Sequence, residues 1–401
     1  MKRVLMVLCA LCLALSGGTL LAEESIKDAF KKGEVSLDLR YRYEFVDDNA
    51  SSEDANASTA RIRFGYKTGT YYDFFAYADF EALRVIGGEQ YNSTANGLTD
   101  FPVVADPEDE EVNQAYVGYS GFEDTVFKFG RQRIILDNHR FIGNVGWRQL
   151  EQTYDAFSVR SELTDRLTFF YAHVNNANRI FGENNPTAAL ANTNLSGDLV
   201  NVAIEFPVGT LVGYAYLLDF EDTPSVSQKN IGARFKGKHD FTKDFTFMYA
   251  AEYADQSDYK SGDGIIDASY FLGEAGVGLS GVNLKAGYEL LEGGGTYAFQ
   301  TPLATLHAHN GWADKFLLTP LNGLEDLYFS VSGTVRGIKL LGVYHDFSAD
   351  EGGDDYGTEL DLRITWKFRE IYTLGGKYAS YDADTLSTDT EKLWVWLQIK
   401  M

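Results

Sequence analysis

Apolar side chains occupy every second position through long stretches of this chain. At the carboxyl terminus the alternating apolar residues are Leu393, Val395, Leu397, Ile399 and Met401. Lys392, Gln398 and Lys400 take the opposite face, because successive side chains of a strand point to opposite sides of a sheet. This arrangement is typical of a strand with lipid on one face and water on the other.

The same period-two alternation recurs in about eighteen segments, each long enough to cross an outer membrane as a strand. Helical spacing does not describe these segments. They lie near residues 34–46, 58–68, 71–84, 112–120, 124–132, 150–161, 166–175, 198–207, 210–219, 228–238, 244–255, 267–280, 282–290, 326–335, 337–347, 356–369, 371–381 and 390–401.

Short and long connections alternate between the predicted strands. Residues 68–70 and 280–281 are short turns, whereas residues 85–111, 176–197 and 291–325 are long loops. Outer-membrane barrels have brief periplasmic turns and long outer loops. The sequence therefore predicts an all-β fold, a transmembrane antiparallel β-barrel of about 18 strands with short periplasmic turns and long extracellular loops.

Residues 1–22 have the charged start, short apolar run and small-residue end of a secretory signal peptide. Cys9 and Cys12, the two cysteines of the chain, lie in this segment. We therefore expect a leader at 1–22 and a single outer-membrane barrel domain over residues 23–401. No later apolar run is long enough for a membrane helix, so any membrane residence must use strands.

The chain is acidic, with 58 acidic and 35 basic residues and a formal net charge of −23. This balance argues against a nucleic-acid partner. Acidic clusters such as residues 106–111 and 350–355 fall on predicted outer loops, where they are either solvated or bridged by divalent cations to lipopolysaccharide. The expected surroundings are outer-membrane lipid and lipopolysaccharide.

Basic residues cluster on the predicted inward faces of strands that closure makes neighbours. They are Arg40 and Arg42 on the first strand, Arg61 and Arg63 on the second, and Arg363 and Lys367 on the sixteenth. Inward acids, including Asp38, Glu44 and Asp361, share this lumen. Two interpretations stay open: an internal ion-pair network without a ligand, and a track for anions.

Two predicted loops, near residues 131–150 and 293–325, mix arginine, amide and aromatic residues with apolar runs. A solvated loop has no use for such runs, so we expect both to fold into the lumen. Trp147 and Trp312 are their candidate pore-lining aromatics. The candidate loop-orienting residues are Asp137, Asn138, His139, Glu151, Asp155, His309, Asp314 and Lys315.

The stretches from Gly130 to Phe157 and from about Thr305 to Tyr328 resemble the paired signatures of the alginate export family of eighteen-stranded outer-membrane barrels. The resemblance implies an electropositive pore for an anionic uronate polysaccharide. It also implies that arginines contact the carboxylates, since guanidinium binds them bidentately. These arginines are Arg40, Arg42, Arg61, Arg63, Arg131, Arg133, Arg140, Arg148 and Arg363.

Other chemistry has little support in the sequence. His307, His309 and Asp314 lie close together, but such loop histidines more often serve hydrogen bonding or packing than a metal site. No Gly-x-Ser-x-Gly motif occurs. We expect no enzyme activity, no metal and no cofactor.

The predicted function is passive transport through an outer-membrane channel. The expected cargo is an anionic polysaccharide, an oligosaccharide or another small anionic solute. The alternatives are a weakly selective general or oligosaccharide-uptake porin, and a structural or adhesion barrel plugged by its loops. The direction of transport, the natural solute and the oligomeric state stay open.

Overall fold

The structure is a computed structural model that describes residues 25–401. The predicted leader and both cysteines lie outside these residues. Within residues 25–401, eighteen strands form one sheet, as the alternation predicted. The strands are β1 Glu34–Asp48, β2 Ala55–Lys67, β3 Phe74–Val85, β4 Asp109–Phe122, β5 Thr125–Gln132, β6 Thr153–Thr164, β7 Leu167–Asn178, β8 Asn192–Phe206, β9 Gly209–Phe220, β10 Gln228–Asp240, β11 Phe245–Asp258, β12 Asp267–Leu279, β13 Val282–Leu291, β14 Leu324–Val335, β15 Ile338–Ser348, β16 Asp355–Phe368, β17 Tyr372–Ala383 and β18 Thr390–Lys400.

Every strand pairs antiparallel with its neighbours in the chain, and the first strand closes the sheet against the last. The β1–β18 register runs from Asp38 opposite Lys400 to Asp48 opposite Thr390. Closure leaves no free sheet edge, which a lipid environment requires. The predicted fold class, an antiparallel eighteen-stranded barrel, is confirmed.

The two faces of the barrel differ as the alternation predicted. On β18, Leu393, Val395 and Leu397 are exposed on the outside, whereas Lys392 is buried on the inside. Trp394 and Trp396 share the inward face with Lys392. The sequence analysis did not single out these two tryptophans, although the same alternation places them there.

Short turns lie at one end of the barrel and long loops at the other. Helix α1 (Ile26–Lys31), which the Ser25 side chain caps, lies at the short-turn end, where the Ala29 carbonyl accepts a 2.8 Å hydrogen bond from Gly69 N–H. Helix α2 (Ala188–Ala191) lies in a long loop. Among the described residues, no helix is long and apolar enough to cross a membrane.

Candidate functional site

Residues 133–152, here called the first inward loop, are bound to the inner wall through their backbone carbonyls. Arg40 and Arg42 of β1 and Arg61 of β2 donate to these carbonyls. The acceptors, in that order, are the carbonyl oxygens of Gly146 (3.2 Å), Trp147 (2.6 Å) and Gln149 (3.2 Å). These three arginines therefore position the loop.

Residues 292–323, the second inward loop, are held by wall groups of the opposite charge. The backbone N–H of Trp312 donates to Asp361 Oδ2 at 3.2 Å, and that of Ala313 to Glu359 Oε1 at 2.7 Å. Both carboxylates lie on the inward face of β16 and are buried. Without these acceptors, buried amides of the loop would be left unsatisfied, at a cost of about 1–3 kcal/mol each.

The two inward loops contact each other inside the barrel. The Gly143 N–H donates to the Leu303 carbonyl at 2.9 Å, and the Thr305 N–H donates to the His139 carbonyl at 3.0 Å. A Cβ at position 143 would collide with Thr305 Oγ1, so this close approach requires glycine. The loops thus form one assembly that narrows the lumen.

Arg148 of the first loop joins three carboxylates from different parts of the chain. Its Nη1 lies 3.1 Å from Glu44 Oε2 and 3.9 Å from Asp106 Oδ2, and its Nη2 lies 3.4 Å from Asp314 Oδ2. Burial opposes ionisation of Asp314, but His307, Lys392 and Arg148 hold the pKa of its carboxyl well below the usual value. The predicted ligand contact Arg148 is neutralised within the protein.

Glu151 has the same role for two further arginines. It lies 3.3 Å from Arg63 Nη1 and accepts a 2.8 Å hydrogen bond from Arg133 Nε. Burial acts to raise the pKa of Glu151, yet these two guanidinium groups lower it to about 2. Arg63 also pairs with Glu81. The positive charges of Arg63 and Arg133 are therefore compensated by carboxylates of the protein itself.

His307 connects the second loop to the wall. Its Nδ1 lies 2.7 Å from Asp314 Oδ1, and its Nε2 lies 2.7 Å from Lys377 Nζ. Burial lowers the pKa of His307 to about 3, so the imidazole is neutral. From these partners we assign the proton to Nδ1, which donates to Asp314, while Nε2 accepts from the ammonium.

Three tryptophan rings surround the Lys377 ammonium. Its Nζ lies 3.5 Å from the ring centroid of Trp312, 4.2 Å from that of Trp147 and 5.2 Å from that of Trp394. Each of these rings comes from a different loop or strand. The predicted pore aromatics Trp147 and Trp312 therefore meet, and the cation between them belongs to the protein.

Most remaining candidates of the two loops are also bound internally. Arg140 lies 2.9 Å from Glu289 and donates to Asn310 at 3.1 Å. Burial lowers the pKa of His309 to about 3. Asp137 accepts a 2.8 Å hydrogen bond from the Asn201 side chain. The Asn138 side chain accepts one from the Arg140 N–H at 3.4 Å. Lys315 donates to Asp48 at 2.9 Å.

Arg131 does not face the lumen, contrary to its predicted role. It lies within β5, in the same alternation as Phe129, which is 63% exposed on the outer face. Its Nε lies 2.9 Å from Oδ1 of Asp155, its cross-strand neighbour. Arg131 lies near the end of the strand predicted over residues 124–132, which agrees with β5, but it was also assigned to the inward loop predicted to begin there. Arg131 and Asp155 form an ion pair on the outward side.

Arg363 and Lys367 differ from the other candidates. Both lie on the inward face of β16 and are exposed. Within residues 25–401 neither has a carboxylate at ion-pair distance, and the Arg363 guanidinium carbon lies 5.9 Å from the Trp312 ring centroid. No group of three or more potential metal ligands occurs in the same part of the chain.

Residues 33–173 match the model of a family described as alginate export. The matched stretch contains the first inward loop, so the resemblance to an alginate-export barrel is confirmed there. No curated protein matches the chain in sequence.

Several solved structures share the fold. OccAB4 of Acinetobacter baumannii is 15% identical, with a TM-score of 0.73, and the match covers 92% of this chain and 98% of that one. OccK9 of Pseudomonas aeruginosa is 13% identical, with a TM-score of 0.71 and coverage of 93% and 100%. OpdK of Pseudomonas aeruginosa, solved with vanillate, is 12% identical, with a TM-score of 0.71 and coverage of 93% and 99%. The closed barrel and the family match identify an outer-membrane channel of bacteria.

Proposed function

We propose that this outer-membrane channel, which matches the alginate export family over residues 33–173, conducts small anionic solutes by passive diffusion. The carrying observation is Arg363, an exposed lumen guanidinium without a carboxylate partner in residues 25–401. Lys367 adds a second such charge on the same face of β16. An uncompensated cation in a lumen attracts anions and repels cations.

Carboxylates are the anions that this site suits best. A guanidinium binds a carboxylate bidentately, and Arg363 is exposed on the inner face for such contact. One barrel of the same fold was solved with vanillate, a small aromatic carboxylate. The anionic polysaccharide that the family description suggests belongs to the same chemical class but is much larger.

The inward loops favour small solutes over a long polymer. Both loops are bonded to the wall and to each other, so a polymer would have to pass beside an assembly that is fixed at several points. We therefore propose monomeric acids and short oligosaccharides, in preference to a polysaccharide, as the solutes of this channel.

A weakly selective general porin is the second candidate. It is supported by the internal pairing of Arg42, Arg63, Arg133 and Arg148, which leaves few free charges at the loops. The two candidates differ in whether the residual charge at Arg363 selects the solute.

Swelling of proteoliposomes tests the proposal. Glucuronate should enter faster than uncharged glucose, and oligomannuronate should enter more slowly with each added residue. Arg363→Gln should reduce the advantage of glucuronate. Arg160→Gln is the matched control, because Arg160 also faces inward but has Glu162 as its partner at 3.9 Å. Equal rates for glucuronate and glucose in the wild type would favour the general porin.

A further inference from the structure

An open cavity of about 430 Å³ lies inside the barrel at the short-turn end. Strands β2 to β5 and the β2–β3 turn form most of it. Its lining residues are Lys32, Glu34, Lys67, Thr68, Gly69, Thr70, Phe75, Tyr116, Ser120, Val126 and Lys128.

Lys67 and Lys128 reach this cavity from two different strands. Lys67 continues the inward alternation of Arg61 and Arg63 on β2. Lys128 of β5 lies opposite Ser158, which is buried on the inner face of β6. Two ammonium groups therefore share one open cavity.

Each ammonium lies over an aromatic ring. Lys67 Nζ lies 5.1 Å from the Phe75 ring centroid, and Lys128 Nζ lies 4.8 Å from that of Tyr116. The two rings meet edge to face, with centroids 6.3 Å apart. Cation–π contact orients a lysine without neutralising it.

Neither lysine has an ion pair with a carboxylate in the described part of the chain, and Glu34 is the one acidic residue among those that line the cavity. Two inward lysines elsewhere on the wall do have such partners: Lys285 lies 2.8 Å from Glu274, and Lys238 lies 3.8 Å from Asp240. The positive charge of Lys67 and Lys128 is therefore left uncompensated at the cavity.

We propose that Lys67 and Lys128 form a binding site for dicarboxylates at the short-turn mouth, which is predicted to face the periplasm. Two separate ammonium groups can each bind one carboxylate of the same solute. The low-dielectric wall of the barrel focuses their electric field into the lumen, which strengthens the attraction of the anion. The inference rests on the proposed passage of anions and adds a site at one end. The channel is therefore asymmetric: it captures dicarboxylates better from this side than from the loop side.

Single-channel recordings with succinate as the probe test the site. Channels are oriented by a biotinylated amino-terminal tag, and succinate is added to one side at a time. Block should be stronger from the short-turn side. In Lys67→Gln/Lys128→Gln its dissociation constant should rise on the order of tenfold, as expected for two weak charge contacts.

Two further variants keep the result interpretable. Lys238→Gln/Lys285→Gln removes the same formal charge from inward lysines that have carboxylate partners, and it should leave the block nearly unchanged. Lys67→Arg/Lys128→Arg keeps both charges and should retain the block. Equal block from both sides, or an equal loss in both glutamine variants, overturns the site. Failure of the proposed function has another signature, because the wild-type channel would then show no anion preference in any salt.

Discussion

Trp147 of the first inward loop is stacked on His307 of the second, with ring centroids 4.9 Å apart and ring planes 7° from parallel. His307 also accepts a hydrogen bond from Lys377 of β17, while Arg42 of β1 lies under Trp147 at 5.0 Å. A continuous chain of contacts thus runs from β1 through the first and second inward loops to β17. The two loops are expected to move together or not at all.

Removal of the Trp147 ring should loosen this assembly. Trp147→Ala loses the stack on His307, the edge contacts with Trp394 and Trp396, and two cation–π contacts, worth about 3 kcal/mol or more together. We expect more frequent current fluctuations and a higher mean conductance in single-channel records. Trp366→Ala is the control, because Trp366 is 43% exposed on the outer face of the barrel. Similar noise in both variants would contradict the role of the stack.

Arg42 should act on the loop rather than on the solute. Its Nη2 pairs with Asp106 and Glu44, and its Nη1 donates to the Trp147 carbonyl. Arg42→Gln leaves two buried carboxylates without this partner, which typically costs about 3–5 kcal/mol. Hydrogen exchange in residues 144–149 should accelerate, and conductance should rise.

Arg42→Lys provides the comparison for that experiment, since it keeps the charge but not the forked geometry. It should fall between the wild type and Arg42→Gln in exchange rate. Unchanged exchange in Arg42→Gln, together with weaker solute block, would show that Arg42 serves the solute instead.

The seating of the second loop should depend on pH through His307. Burial lowers the pKa of this imidazole to about 3, below the usual value of about 6.5. Protonation of His307 is therefore costlier when the second loop is seated than when it is released. The free energy that favours the seated loop is at its full value above about pH 6.5 and decreases as the pH falls towards 3. Asp314 stays ionised over this range, because its pKa is well below the usual value.

Channel noise measured between about pH 6.5 and 5 should reveal this dependence, since most carboxylates remain ionised there. Noise should increase towards pH 5 in the wild type. His307→Gln keeps a hydrogen-bonding side chain but cannot titrate, so its noise should vary less with pH. Identical pH profiles of the noise in the wild type and in His307→Gln would show that His307 does not cause the pH dependence.

Arg131 should contribute to stability and not to selectivity. It pairs with Asp155 on the outward side, with side chains that are 24% and 38% exposed. Arg131→Ala should lower the melting temperature slightly, as expected of a partly exposed pair worth about 1 kcal/mol or less. The reversal potential in a salt gradient should not change. A shift of the reversal potential as large as that of Arg363→Gln would show instead that Arg131 contributes to the selectivity of the pore.

The strand pattern could be predicted because each strand is specified locally. Leu393, Val395 and Leu397 face lipid and Lys392 faces the lumen, and both follow from a period of two. The same rule supplies Trp394 on the inner face. Closure then brings β1, β2 and β16 to β18 together, as the alternation and the even strand number implied.

The partners of the loop residues could not be predicted in this way. Arg148 meets Asp314, which is 166 positions away, and Arg140 meets Asn310, which is 170 away. These pairs depend on loop backbone that includes left-handed conformations at His139 (φ 65°) and Asp314 (φ 64°). Such φ values are uncommon for residues other than glycine, so local sequence gives no signal for them. The choice between an ion-pair network and an anion track depended on these contacts.

The reversal potential of single channels in a potassium chloride gradient tests the central claim most directly, namely that unpaired lumen cations select the solute while the wall arginines hold the loops. The wild type should prefer chloride, Arg363→Gln should shift the potential towards zero, and Arg42→Lys should leave it in place. A preference for potassium in the wild type, or no measurable current, would contradict the account.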